Sequence, residues 1–179
     1  NDSLGLPEKE YSAFLEFDAM REKYQYIQGF DVRTVEELAI NLAVFGAFME
    51  GVSLFSSFAI LMNFPRLGKM KGVGQIVTWS IRDETLHSQG VCQLFRDLVN
   101  ENKHIWTQEL RSTLYQACED MVKLEDNFID TCFALGAVPG LKPEDVKQYI
   151  RYTADKKLND LGLDKVYHAA NPLQWLDVM

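Results

Sequence analysis

Glu50 stands between Met49 and Gly51 in the most apolar stretch of this 179-residue chain, and further along Glu84 and His87 stand three residues apart. An ionised carboxylate among apolar neighbours costs several kcal/mol unless a cation meets it. A spacing of three places Glu84 and His87 on one face of a helix, about one turn apart and aimed at the same point. Carboxylate oxygens with one imidazole nitrogen suit iron or manganese, whereas an all-oxygen set favours magnesium and a thiolate set favours zinc. Each feature has a plainer explanation: Glu-x-x-His pairs arise often by chance, and Glu50 could pair with an arginine such as Arg82. Together they point to a metal.

Proline and glycine divide the chain into five helices that must position these groups. The first runs from Glu8 to Gln28 and ends at Gly29. Thr34, with Glu37 three residues later, forms a capping-box pattern that opens a second helix running to Asn63, ahead of Pro65. This helix is nearly all apolar and long enough to span a bilayer. Asn41, Glu50, Ser53, Ser56, Ser57 and Asn63 interrupt it, which favours a buried bundle helix. Gly68, Gly72 and Gly74 mark a loop, followed by a third helix from Gln75 to Val99 with Ile76, Val77, Ser80, Glu84, His87, Val91 and Leu94 on its inward face. A fourth spans Ile105 to Leu135, with Gly136 at its end, and a fifth spans Pro143 to Asp160. Residues 161–179 read as a capping tail. With no period-2 alternation the expected fold is all-α, a bundle of long, nearly antiparallel helices forming a single domain over 1–179.

Composition supports this. Hydrophobic residues make up 47% of the chain with only 5 prolines, enough for a core, so low-complexity and disordered classes are excluded. A net charge of −8 removes any sequence-wide cationic field for nucleic acid or anionic lipid. Cys92, Cys118 and Cys132 form no metal-type pair or disulfide framework and fit a reducing cytoplasm as small core residues.

A Glu from each of two helices plus Glu-x-x-His from each of two others is the ligand pattern of ferritin-like dimetal proteins, and this chain supplies half of it. Phe48-Met49-Glu50-Gly51-Val52-Ser53-Leu54-Phe55-Ser56-Ser57-Phe58, followed by Ser80-Ile81-Arg82-Asp83-Glu84-Thr85-Leu86-His87, closely resembles the radical-generating small (β) subunit of class I ribonucleotide reductase. The resemblance runs along the whole chain, including Asn171-Pro172-Leu173-Gln174-Trp175. It implies a ferritin-like fold, a dinuclear iron or manganese centre with Glu50, Glu84 and His87 as ligands to one ion, and Asp83 as a proton and radical relay toward a separate large subunit that reduces ribonucleotides. Leu54 and Phe58 fall in the apolar pocket that the family builds near its radical, with Leu54 replacing a Phe of many members. The family's first-half ligands would precede Asn1 and its terminal redox-active Tyr would follow Met179. The chain is therefore expected to be the C-terminal half of a small subunit, partnered by the missing N-terminal half, by the large subunit, and by a second complete small subunit in a homodimer.

Other readings carry less. A ferritin-like oxidase acting on its own substrate would share the fold, and an iron-storage or structural bundle would not need Arg82-Asp83 before Glu84. Glu125, on the apolar stripe of the fourth helix, is expected to form a structural ion pair with a buried arginine. His104 and His168 read as surface residues, and Tyr149, Tyr152 and Tyr167 as packing.

Overall fold

The computed structural model describes residues 5–178, so the outermost ends of the 1–179 domain expectation lie outside the described residues. Contacts within the chain separate residues 1–30 from residues 31–179.

In the first unit the expected single helix is broken into α1 (Glu8–Tyr11), a 3-10 turn (Ala13–Glu16) and α2 (Asp18–Ile27). Ser12 leaves helical geometry and Phe17 is extended, at φ −85° and ψ 123°. Neither position is a proline or glycine, so no local signal marks the break. The physical reason is thin packing: within α2 only Ala19 is buried, while Phe14, Phe17 and Tyr24 are exposed. Helices this short do not persist without an apolar face to bury.

The second unit is built on one continuous rod, α3 (Val35–Leu42), a π-helical segment (Ala43–Ser53) and α4 (Leu54–Arg66). The capping box forms as expected: the Thr34 hydroxyl accepts from the Glu37 N–H at 3.1 Å, and the Thr34 N–H donates to Glu37 Oε2 at 2.9 Å. The rod is long and apolar enough to cross a membrane by length and composition alone. Much of its surface is instead packed against α5 (Lys71–Glu101), α6 (Gln108–Phe133) and α7 (Pro143–Asp160). Phe48, Met62, Phe95, Leu110, Leu114, Ile129, Ile150 and Leu158 are the large side chains sealed between them. Each contributes roughly 1.5–3 kcal/mol by leaving water. Among the described residues no strand forms.

Several boundaries differ from the sequence reading. The rod runs through Pro65 to Arg66, because the Pro65 ring lies over Gly74, where a Cβ would sit 2.7 Å from it. Gly72 and Gly74 accordingly belong to α5 and not to the loop, which turns at Gly68 (φ 77°) and Met70 (φ 48°). Thr107 caps α6 through the Leu110 N–H at 3.1 Å, so that helix starts after a 3-10 turn (Lys103–Ile105). The fifth helix has the expected bounds. Beyond it, the buried Asp155 carboxylate accepts the backbone N–H groups of Val166, Tyr167 and Ala169 at 2.9 to 3.1 Å, tying the following segment to α7. Arg151 of α7 grips Asp126 of α6 with two hydrogen bonds of 2.9 and 2.7 Å.

The close approach of the rod to its neighbours depends on two glycines. A Cβ on Gly46 would lie 2.2 Å from Val91 Cγ1, and one on Gly51 2.5 Å from Lys157 Cε. Gly46→Ala should therefore destabilise the chain by about 1–3 kcal/mol through overpacking against a stiff β-branched side chain. Gly90 on α5 has nothing within 4 Å of its would-be Cβ, so Gly90→Ala should stabilise by roughly 0.5–1 kcal/mol. Urea unfolding of the two variants checks both signs.

Candidate metal centre

Glu50 comes from the π segment and Glu84 and His87 from α5, and one ligand atom of each lies within 4.8 Å of the others. The rod is thus brought to α5 at the turn where the Glu-x-x-His pair emerges. Nδ1 of His87 is 3.8 Å from Glu84 Oε2, too far for a hydrogen bond, so both atoms are left to face a third group. Glu50 Oε2 is buried with no hydrogen-bond partner among the described residues. Loss of water pushes the Glu50 carboxyl above the usual carboxylate range, the Glu84 charge raises it further, and His87 pulls it back. Two carboxylates drawn together around an unpartnered oxygen, with an imidazole opposite, fit a divalent iron or manganese ion.

The alternative of an arginine partner for Glu50 is not what forms. The Arg82 side chain is 75% exposed and pairs with its neighbour Asp83 at 3.5 Å. Asp83 itself is exposed on α5. Leu54 follows Glu50 by one turn at the surface, and Phe58 lies a further turn along, its ring edge-on to Phe55 at 5.6 Å.

The expected inward face of α5 needs correction. Gly74, Val77, Ser88, Cys92 and Phe95 are the buried residues, whereas Ile76 and Leu94 are 60% and 55% exposed. At 3.6 residues per turn Ile76 and Leu94 lie at least about 100° around the helix from every residue of that buried arc. Together with Trp79 and Leu86 they form an exposed apolar arc. Glu84 and His87 stand on the flank between the two, with Glu84 the less exposed. Hydrophobic spacing alone merges these two neighbouring arcs into one.

Other singled-out residues fall away from this group. Cys92 and Cys118 are buried, and burial pushes the Cys118 thiol up to about 12. His104 and His168 are exposed. Tyr149 is buried against Tyr152, and burial raises Tyr149 and Tyr167 to about 12. Glu125, fully buried, receives the hydroxyls of Ser53 and Ser56. Those serines were visible in the sequence only as interruptions of an apolar helix, and nothing local to either stretch linked them to Glu125.

A family model described as "Ribonucleotide reductase, small chain" matches residues 1–172. The probable ribonucleoside-diphosphate reductase small subunit 048L of Invertebrate iridescent virus 3 is 40% identical over 98% of this chain and 52% of its own length. The corresponding 376L protein of Invertebrate iridescent virus 6 is 37% identical, over 99% and 60%. The chain thus spans about half the length of the curated relatives it matches. Among solved structures, the ribonucleotide reductase R2 subunit from Clostridium botulinum superposes with a TM-score of 0.87 at 25% identity, covering 96% of this chain and 56% of that one.

Because Glu50 is held at a raised pKa, the folded metal-free chain binds a proton there more tightly than the unfolded chain does. Its stability therefore falls as pH rises from the ordinary carboxylate range through the raised value. Glu50→Gln should raise the thermal midpoint of the metal-free chain at pH 7, an advantage that disappears at acid pH where Glu50 is protonated. The same variant should weaken manganese binding. Thermal melts at pH 4 and 7, with manganese titrations at pH 7, check the opposed effects.

Proposed function

The chain belongs to the family of ribonucleotide reductase small chains, and we propose that Glu50, Glu84 and His87 form one half of a dimetal centre that serves ribonucleotide reduction. The observation that carries this reading is the buried, unpartnered Glu50 oxygen facing a Glu-x-x-His pair. A pair of iron or manganese ions, when bound, supplies the one-electron oxidising power that a large subunit uses to reduce ribonucleotides.

What the chain's own residues do follows from their placement. Glu50 and Glu84 offer carboxylate oxygens and His87 an imidazole nitrogen, one atom of each within 4.8 Å of the others. The π segment and α5 exclude water from Glu50 Oε2, which strengthens its interaction with a cation. Asp83, next to Glu84 and exposed, is the residue that would accept a hydrogen bond from the imidazole ligating the other ion and relay a proton toward the large subunit. Leu54 and Phe58 supply apolar packing beside the site.

Three protein ligands leave a two-ion site half built. The remaining ligands are assigned to the first half of the small subunit, which would also cover Leu54 and the exposed arc of Ile76, Trp79, Leu86 and Leu94. The complete subunit would pair with a second copy and dock on the large subunit in the cytoplasm, without nucleic acid or membrane.

Three experiments test this reading. Calorimetric titration of iron or manganese into the chain alone should give weak binding, whereas co-expression with a first-half polypeptide should give two tightly held ions per pair. Glu84→Ala or His87→Ala should remove the ion nearest them while leaving the pair helical by circular dichroism. Two tightly held ions surviving both substitutions would overturn the ligand assignment. In the complemented subunit Asp83→Asn should keep both ions yet lower ribonucleotide-reducing turnover by at least about tenfold. Unchanged turnover with the large subunit present would remove Asp83 from the relay.

A further inference from the structure

Glu125 of α6 is no part of the ligand group, yet it touches the element that carries Glu50. Its carboxylate is fully buried, with one oxygen accepting the Ser53 hydroxyl at 2.8 Å and the other accepting the Ser56 hydroxyl. Ser53 is the last residue of the π segment and Ser56 lies in the first turn of α4. The carboxylate therefore clasps the rod where i→i+5 hydrogen bonding returns to i→i+4, three residues past Glu50.

A π winding sustained over Ala43–Ser53 is uncommon, since such windings arise mostly as single-turn bulges. Rewound as α-helix, the same residues would carry fewer residues per turn, and Glu50 would rotate about the rod relative to Ser53. Gly46 and Gly51 permit the segment to lie close to α5 and α7 but impose no rotation, because a glycine has no side chain to hold. A two-point anchor beyond Glu50 does impose one. Only a carboxylate serves two hydroxyl donors equally: a glutamine would offer one acceptor oxygen and turn its amide donors toward the other serine.

We infer that Glu125 is a positioning residue for the candidate metal centre: by holding Ser53 and Ser56 it fixes the π register that aims Glu50 at Glu84 and His87. The inference rests on the metal reading of those three residues.

The test is a double-mutant cycle on the full 179-residue chain, with cobalt(II) as the probe and its visible absorption as the readout, alongside thermal melts of every variant. Glu125→Gln should weaken cobalt binding by about tenfold, while in a Glu50→Gln background it should change the remaining affinity less than twofold. The thermal midpoint should fall equally in both backgrounds. Ser53→Ala, a smaller perturbation should Glu125→Gln fail to fold, should show the same background dependence to a lesser degree. Equal weakening with and without Glu50 would reduce Glu125 to a structural residue and overturn the proposal, as would no weakening at all. Glu84→Ala and His87→Ala run beside these separate the two readings. If they leave cobalt binding unchanged, the metal assignment itself fails. If they abolish it while Glu125→Gln has no effect, only the positioning role fails.

Discussion

A carboxylate oxygen that has lost its water and gained no hydrogen bond must either take up a proton or meet a cation, and Glu50 Oε2 is such an oxygen. Much of the second unit can be read as the means of keeping it in that condition. The rod seals it on one side and α5 presents a second carboxylate on the other, so the fold raises the free energy of the ionised, metal-free state. A surface glutamate would be more stable and would bind a metal less selectively. The tension between folding stability and readiness to bind is therefore concentrated at one atom.

The geometry that sustains this tension is short-range. Gly46 lets Val91 come against the rod backbone, and Gly51 does the same for Lys157 on the adjoining helix. Because these contacts flank Glu50 in sequence, packing on both neighbours is transmitted to the ligand through only a few residues. Winding, which fixes rotation, and glycine contacts, which fix distance, divide the task between them. The exposed arc of α5 lies beside the ligands and not behind them, so an element covering that arc would arrive next to the site.

What could be read from the sequence was whatever is local. The Thr34–Glu37 box and the Pro143 start act over three or four residues, and they mark helix starts correctly. The Glu-x-x-His pair is likewise local, and Glu50 announced itself by being charged in an apolar run. The π segment could not be read this way, because a stretch apolar on nearly every side carries no period to reveal its winding. The burial of α5 escapes the sequence for a related reason: Ile76 and Leu94 are apolar but exposed, so hydrophobicity alone places them on the wrong arc. The break at Ser12 and Phe17 and the pairing of Glu125 with two serines arise from tertiary packing, or its scarcity. No spacing rule within one helix encodes either.

The three backbone N–H groups gathered by Asp155 have a bearing on how the molecule comes apart. Peeling residues 166–169 away from α7 would leave the buried Asp155 carboxyl without those three donors, the costly case of an unsatisfied buried polar group. Local fraying at this end is therefore suppressed, and the segment opens together with α7 as one cooperative unit. The amides of Val166, Tyr167 and Ala169 are thereby tied to the opening of a helix: their hydrogens should exchange with solvent on the schedule of α7 and not on that of a loop.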